Sequence, residues 1–159
     1  MILVQCNTDS HIDRYKVSID SLLSLPTGFY GHRGNQVYVE DLKVIEYRVW
    51  MDVDDENDIL NVSKLENFKS ETNTSIDHLS PIDTSYAKLL GQRFVDLSKL
   101  FKFRHLLVAK NLKVSFSTKE DVQEEYVYPL SDSAKQSYQE NKDFKTLGKG
   151  WFQNMNGDN

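Results

Sequence analysis

The sequence is poor in cysteine, proline and glycine, and it lacks any long hydrophobic run. Its 159 residues include one cysteine, three prolines and seven glycines. A single cysteine cannot form an internal disulfide or supply the cysteine pairs of a zinc site. No segment approaches the roughly 20 apolar residues that a membrane-spanning helix needs, and the first residues have neither the basic start nor the apolar length of a signal peptide. We therefore expect a soluble, cytoplasmic protein with no membrane contact.

Catalytic motifs are missing as well. The sequence contains no H-E-x-x-H motif and no G-x-S-x-G elbow. Cys6 lies in an apolar run, where thiols are usually buried and inert. None of the histidines has another four residues away, as a helical metal site requires; they are His11, His32, His78 and His105. We expect no catalytic residue and no cofactor, and we favour a non-enzymatic function over an enzyme.

One acidic segment has part of the pattern of a calcium loop. Asp52, Asp54 and Glu56 alternate as the first ligands of such a loop do. The positions of its glycine and of its last acid hold Asn57 and Ser63 instead. A solvated, acidic strand end is the favoured interpretation, and no metal site is predicted. The whole chain carries a net charge of −5, which argues against nucleic-acid binding by its entire surface.

The clearest structural pattern is the alternation at residues 44–53. Every odd position from Ile45 to Val53 is apolar, and every even position from Glu46 to Asp52 is charged except Trp50. A period of two places alternate side chains on opposite faces of a strand, so one face of this strand is predicted to be buried.

The remaining periodicity, with 39% hydrophobic residues, predicts an α+β fold. We expect a mainly antiparallel sheet of about five strands with two amphipathic helices packed on one face. The predicted strands are 2–6, 36–40, 44–53, 106–117 and 126–128, and the predicted helices are 10–25 and 84–103. Residues 106–117 form either one long strand or a hairpin that turns at Lys110 and Asn111. Residues 1–130 are predicted to be a single α+β domain, and 131–159 a polar C-terminal extension with a Trp-Phe tail.

Two aromatic features are candidates for partner binding. Trp50, with Arg48 beside it on the polar face of its strand, is predicted to be an exposed anchor, because aromatic side chains bury a large area at low entropy cost. The alternative is that Trp50 covers a second layer of the same domain. Trp151 and Phe152, near the C-terminus, either dock on a partner or fold back onto the domain.

A basic segment is a candidate nucleic-acid surface. Residues 86–113 contain seven lysines or arginines against one acid, Asp96. On the predicted helix, Lys88, Lys99 and Lys102 lie on the arc opposite the apolar residues. Clustered cations of this kind suit phosphate contacts, and a solvated helix face is the alternative.

The opening residues are similar to the start of ribosome-hibernation proteins. The similarity covers about nine residues, in the pattern Val4-Gln5-x-Asn7-Thr8-Asp9-x-His11-Ile12. It implies a β-α-β-β-β-α fold and a ribosome-associated role. The rest of the chain carries no such match, so the similarity does not assign a family.

The segment 28–35 concentrates three of the seven glycines together with His32 and Arg33. It is predicted to be a loop, either a flexible connection or a binding loop for an anion or an acidic ligand. Its spacing fits neither nucleotide-binding glycine motif. A small enzyme with its site at this loop is the least favoured function.

Taken together, these patterns favour a protein-interaction or assembly subunit of a larger complex. The partner is another protein or a second copy of the chain. The Asn, Asp, Ser and Lys content is compatible with an AT-rich genome, such as that of a phage or a mobile element. An RNA- or DNA-binding module that uses the basic segment 86–113 is the main alternative.

Overall fold

In the part of the chain that the structure describes, ten antiparallel strands form one sheet. The computed structural model describes residues 19–41, 47–67, 73–74, 81–120 and 124–158. The strands are β1 (Gly28–Arg33), β2 (Gln36–Asp41), β3 (Tyr47–Val53), β4 (Ile59–Asn67), β5 (Asn73–Thr74), β6 (His105–Ala109), β7 (Lys113–Ser117), β8 (Tyr126–Pro129), β9 (Phe144–Gly148) and β10 (Trp151–Asn154). The helices are α1 (Ile19–Leu23), α2 (Pro81–Phe101) and α3 (Asp132–Glu140), and Met155–Asp158 forms a 3₁₀ turn.

The strand order is β5-β4-β3-β2-β1-β6-β7-β8-β10-β9, and every neighbouring pair is antiparallel. β1 and β6 pair at the centre, and each begins a series of strands that runs towards its own edge. The turn between β1 and β2 is short because Gly34 adopts a φ of +59°, which suits the first central position of a tight hairpin turn. The sheet therefore has two halves, β1–β5 and β6–β10, joined through α2.

The long helix α2 connects the two halves and packs on one face of the sheet, which we call the inner face. It contacts β1 to β4. Gly91 allows the close approach, since a Cβ there would lie 2.7 Å from Cε of Met51. The helix ends at Phe101, after which Lys102 adopts a left-handed φ of +62° and donates its backbone N–H to the carbonyl of Ser98.

A row of aromatic side chains on the inner face connects the core of the first half of the sheet with that of the second. Ring centroids lie 5.6 Å apart between Phe94 and Phe103, 5.8 Å between Phe103 and Phe116, and 5.2 Å between Phe116 and Trp151. Such spacings are typical of favourable aromatic pairs. The core is thus continuous across both halves.

The helix α3 lies on the other face of the sheet, which we call the outer face. It contacts β8 and β9. Its Tyr138 ring lies 5.8 Å from Phe152, while the neighbouring Trp151 points to the inner face and contacts Phe116. In the described residues, the outer face of β8–β10 is covered by a helix that belongs to the same chain.

The predicted fold class is wrong in strand number and in helix placement. The sheet has ten strands, not about five, and the three helices do not all lie on one face. The missed strands contain glycines, consecutive polar residues or β-bulges, which hide a period of two; they are β1, β4, β5, β9 and β10. For residues 106–117, the hairpin is the correct alternative. The predictions for 2–6, 10–18 and 44–46 lie outside the described residues.

The predicted burial of α2 is also partly wrong. Leu90, Phe94 and Phe101 are buried as the helical wheel predicts, but Leu89 and Leu100 are 51% and 61% exposed. The wheel gives an apolar arc without showing which part of it meets the sheet.

The residues on either side of the predicted domain boundary at residue 130 belong to the same sheet, since β9 and β10 lie next to β8. The division of the chain at residue 130 stays a prediction. Among the described residues, no helix is long and apolar enough to cross a membrane.

Candidate binding groove

The outer face of the first half carries polar and aromatic side chains instead of a helix. Because side chains alternate along a strand, the residues between the core positions point to this face. In the register of the sheet, Trp50 pairs with Tyr38, Tyr38 with Gly31, and Gly31 with His105. The adjacent row contains Glu40, Phe29 and Leu107. The central strands therefore bring together residues that are distant in the sequence.

A groove of about 520 Å³ lies over these two rows. We call it the outer groove. Its volume is within the range of ligand-binding sites in proteins. The outer groove is lined by charged, aromatic and aliphatic residues: Phe29, Tyr30, Arg33, Tyr38, Glu40, Arg48, Trp50, His105, Leu106, Leu107, Ser115, Glu120 and Glu124.

Tyr38 and His105 form a hydrogen-bonded pair in the floor of the groove. The Tyr38 ring lies over Gly31, where any Cβ would overlap the ring. Its hydroxyl is 3.2 Å from Nδ1 of His105, and Nε2 of His105 is 3.0 Å from the carbonyl of Glu120. A carbonyl oxygen only accepts, so Nε2 carries the proton and Tyr38 donates to Nδ1 in the neutral imidazole. The glycine thus creates the space in which the tyrosine is held.

This arrangement does not activate Tyr38 for catalysis. Burial, and to a lesser extent the charge of Glu40, raise the pKa of Tyr38, while Arg48 and Arg33 oppose the shift. A phenol whose pKa is raised stays protonated at neutral pH and acts as a hydrogen-bond donor. The groove therefore offers a fixed donor network and no activated base at this position.

Arg48 is held in place by three neighbours. It donates to Glu40 at 3.2 Å, lies 3.9 Å from Glu66, and its guanidinium carbon is 4.6 Å from the centre of the Tyr38 ring. Glu40 is only 7% exposed, so removal of Arg48 would leave a buried carboxylate without its ion pair. The contacts of Arg48 are structural, and its predicted role in partner binding stays a prediction.

Trp50 lies in the wall of the groove. It is 8% exposed, and its indole N–H donates to Glu66 at 3.0 Å. The expectation that Trp50 is exposed is therefore wrong, although the residue lines the groove. Its predicted role in partner binding stays a prediction. Arg33 lies over this ring at 5.9 Å from its centre. Trp50 thus supports an exposed arginine.

The predicted loop at residues 28–35 is instead the central strand β1 with its turn. Its two candidate residues, His32 and Arg33, are neighbours on a strand and so point to opposite faces. Arg33 lines the outer groove. His32 is half-buried near Arg104 on the other face, where burial first and the charge of Arg104 second lower the pKa of His32. These two residues do not form one site.

The Trp-Phe tail forms part of the sheet. Both side chains of β10 are buried, Trp151 on the inner face and Phe152 beneath Tyr138 on the outer face. The structure places the tail in the fold-back arrangement, the second of the two alternatives. Neither side chain lines the outer groove, and a role in partner binding stays a prediction.

The predicted basic face of α2 lies beside an acidic turn at residues 54–58. Lys99 donates to the carbonyl of Glu56 at 2.9 Å, and Lys88 donates to the carbonyl of Leu60 at 3.4 Å. Lys102 is exposed just beyond the helix. The turn at 54–58 next to Lys99 contains four acids. The lysines therefore do not form a uniformly positive surface.

The acidic turn itself is held by its own backbone. The side chain of Asp54 accepts hydrogen bonds from the N–H groups of Glu56 and Asp58 at 3.0 and 2.8 Å. This is the usual role of an aspartate that caps a turn. Within the described residues, no group of His, Cys, Asp and Glu side chains could hold a metal ion.

Several groove residues could not be identified from the sequence alone. Tyr38 and Glu40 follow the alternation of 36–40 and could have been placed on the polar face. Phe29, His105 and Leu107 reach the groove only because β1 pairs with both β2 and β6, and β1 was not predicted to be a strand. Comparison with protein-family models, curated proteins and solved structures yields no significant match to this chain. The function is therefore argued from the geometry of the groove.

Proposed function

We propose that the protein is a non-enzymatic binding subunit that holds a segment of a protein partner in the outer groove. The observation that carries this proposal is the groove itself, on a sheet face that no described helix covers in the first half. Phe29, a large apolar side chain on the central strand, is 38% exposed there. A groove with apolar and fixed polar groups suits recognition of a short peptide segment.

The polar groups support binding over catalysis. Tyr38 is a donor with a raised pKa, and Arg48 and Glu40 pair with each other. Catalytic residues need pKa values matched to proton transfer or a nucleophile beside a base. The groove instead resembles a recognition site whose polar groups are fixed before the ligand arrives, which lowers the entropy cost of binding.

A protein partner is favoured over a nucleic acid by charge. The groove contains the carboxylates of Glu40, Glu120 and Glu124 against the two guanidiniums of Arg33 and Arg48. A phosphate backbone needs clustered, unopposed cations. The lysines of α2 do not supply them either, because Lys99 lies against the acidic turn.

The experiment is affinity capture from the native host with the full chain as bait, run with and without nuclease. Phe29→Asp places a charge in the groove at an exposed position and should abolish capture of the partner. Leu100→Asp is the matched control, because Leu100 is exposed on α2 outside the groove. Circular dichroism and thermal unfolding verify that both variants fold.

The expected result is one stoichiometric protein that is retained by the wild type and by Leu100→Asp but lost from Phe29→Asp. A partner that Phe29→Asp retains would place the binding surface elsewhere. Loss of the partner on nuclease treatment would instead favour the nucleic-acid alternative.

A further inference from the structure

We infer that the partner segment carries a carboxylate side chain that pairs with Arg33, and an apolar side chain that packs on Phe29 about 13 Å away. This inference rests on the proposed function and specifies the chemistry that the outer groove recognises. It follows from three features of β1: one arginine with unused donors, the charges around it, and the spacing of the two exposed side chains.

Arg33 differs from Arg48 in what its guanidinium contacts. Arg48 is held by Glu40 and Glu66. Within the part of the chain that the structure describes, the guanidinium of Arg33 makes no hydrogen bond or ion pair, and it lies over the Trp50 ring. A guanidinium over the face of an aromatic ring keeps its N–H groups available for an anion. Arg33 is thus a groove cation for which the described residues supply no anionic partner.

The surrounding charges favour a carboxylate over a phosphate. Glu40, Glu120 and Glu124 line the same groove. Glu40 is paired with Arg48 and Glu124 with Lys113, so the groove holds no excess of positive charge. A phosphoryl group carries about −1.5 to −2 charges at neutral pH and is therefore matched less well than a singly charged carboxylate.

The apolar contact is set by the geometry of the strand. Phe29 and Arg33 lie on the same face of β1, with Gly31 between them covered by the Tyr38 ring. Four residues of a strand at about 3.3 Å each separate the two side chains by about 13 Å. Leu107 pairs with Phe29 in the register and widens the apolar end of the groove. An extended segment with an apolar residue and an Asp or Glu about four positions apart spans this distance.

The test is selection of binders from a random peptide library displayed on phage, with the full-length protein immobilised and Phe29→Asp as the counter-selection. The enriched consensus should contain an apolar residue and an acid about four positions apart. Its synthetic peptide is then titrated calorimetrically against the wild type, Arg33→Ala and Arg33→Lys. Arg93→Ala is the matched control, because it removes the same charge from an exposed position on α2 outside the groove.

Arg33→Ala should weaken binding of the peptide by about ten- to a hundredfold, the usual effect of losing a charged hydrogen bond. Replacing the peptide's Glu by Gln should weaken binding of the wild type similarly and have little further effect on Arg33→Ala, since the two changes remove one interaction. Arg33→Lys should recover only part of the affinity because lysine cannot pair through two parallel donors. Arg93→Ala should bind as the wild type does.

The outcomes separate this inference from the proposed function. A groove-dependent consensus without an acid, or one whose binding is unchanged by Arg33→Ala, overturns the role of Arg33 and leaves the groove as the binding site. A library that yields no binder sensitive to Phe29→Asp counts against both. A phosphate-dependent binder, tested with phosphorylated and unphosphorylated forms of the same peptide, would overturn the choice of carboxylate.

Discussion

The two halves of the sheet have the same strand arrangement but differ in what covers their outer face. Each begins at the centre, with β1 or β6, and runs in antiparallel strands to one edge. On the inner face both contribute to one continuous core. On the outer face α3 closes the far end of the second half, where Tyr138 packs on Phe152 and Phe144, whereas the outer groove lies over the first half and extends onto β6 and β7. The contrast indicates which surface is used for stability and which is available for binding.

The two tryptophans show the same difference between the core and the groove. Trp151 lies on the inner face of the second half, with its ring centre 5.2 Å from those of Phe116 and Tyr128. Trp50 lies on the outer face of the first half between Tyr38 and Arg33. Both are nearly buried, and Trp50 also lines the outer groove. Their contributions to stability should therefore differ.

The largest effect is expected from Trp151→Ala. It should reduce the free energy of unfolding by about 3–5 kcal/mol, because the lost ring leaves a dry cavity in the aromatic core. Trp50→Ala should cost only about 1–3 kcal/mol, since solvent in the groove fills the vacated space. Urea unfolding of both variants measures the difference. Equal losses would show that the outer face of the first half is a second core and would weaken the case for the groove.

The sequence predicts the interior of each half better than it predicts how the halves join. The alternation at 44–53 correctly places Val49, Met51 and Val53 in the core. The pairing of β1 with β6 joins residues separated by α2, and no local pattern encodes such a contact. Phe29 and Leu107 illustrate this limit. Nothing in the sequence distinguishes either from other apolar residues, and they are neighbours only through the pairing of β1 with β6.

Glycine explains the largest error. The glycines of 28–34 are typical of a loop, yet Gly31 lies in the central strand because the Tyr38 ring occupies the space of its missing side chain. That interaction depends on β2 and cannot be read from β1 alone. The same error concealed the difference between His32 and Arg33, which a strand places on opposite faces.

A smaller effect is expected from pH, and it affects both halves. Burial raises the pKa of Tyr38 in the first half. Burial alone would lower the pKa of Lys113 in the second, but its hydrogen bonds to Glu124 and Tyr138 outweigh that effect and raise it. A group with a raised pKa in the folded state stabilises the fold below its unfolded pKa, and this contribution disappears as the pH rises through the folded value.

Stability should therefore decrease as the pH rises above about 10, the unperturbed range of both groups. Tyr38→Phe and Lys113→Met should each make the decrease shallower, and the double variant should make it shallower still, because the residues lie in different halves and share no contact. Urea unfolding at a series of pH values from neutral to strongly alkaline measures the slopes. If Tyr38→Phe leaves the pH dependence of the unfolding free energy unchanged, the phenol of Tyr38 loses its proton at the same pH in the folded and unfolded states.

The smallest effect is expected from a substitution that weakens α3, the helix that covers part of the outer face of the second half. Ser131 caps α3 by accepting a hydrogen bond from the N–H of Ala134 at 3.2 Å, and none of the described α3 side chains is fully buried. Ser131→Ala should cost about 0.5–1 kcal/mol, the lower part of the range for such caps, because an exposed helix already frays. Hydrogen exchange should speed up in 132–140 and leave β1–β3 unchanged, with Ser98→Ala as a control on α2. If α3 opens while binding to the outer groove persists, the groove functions independently of that cover. If binding is lost as well, α3 and the outer groove act as one surface.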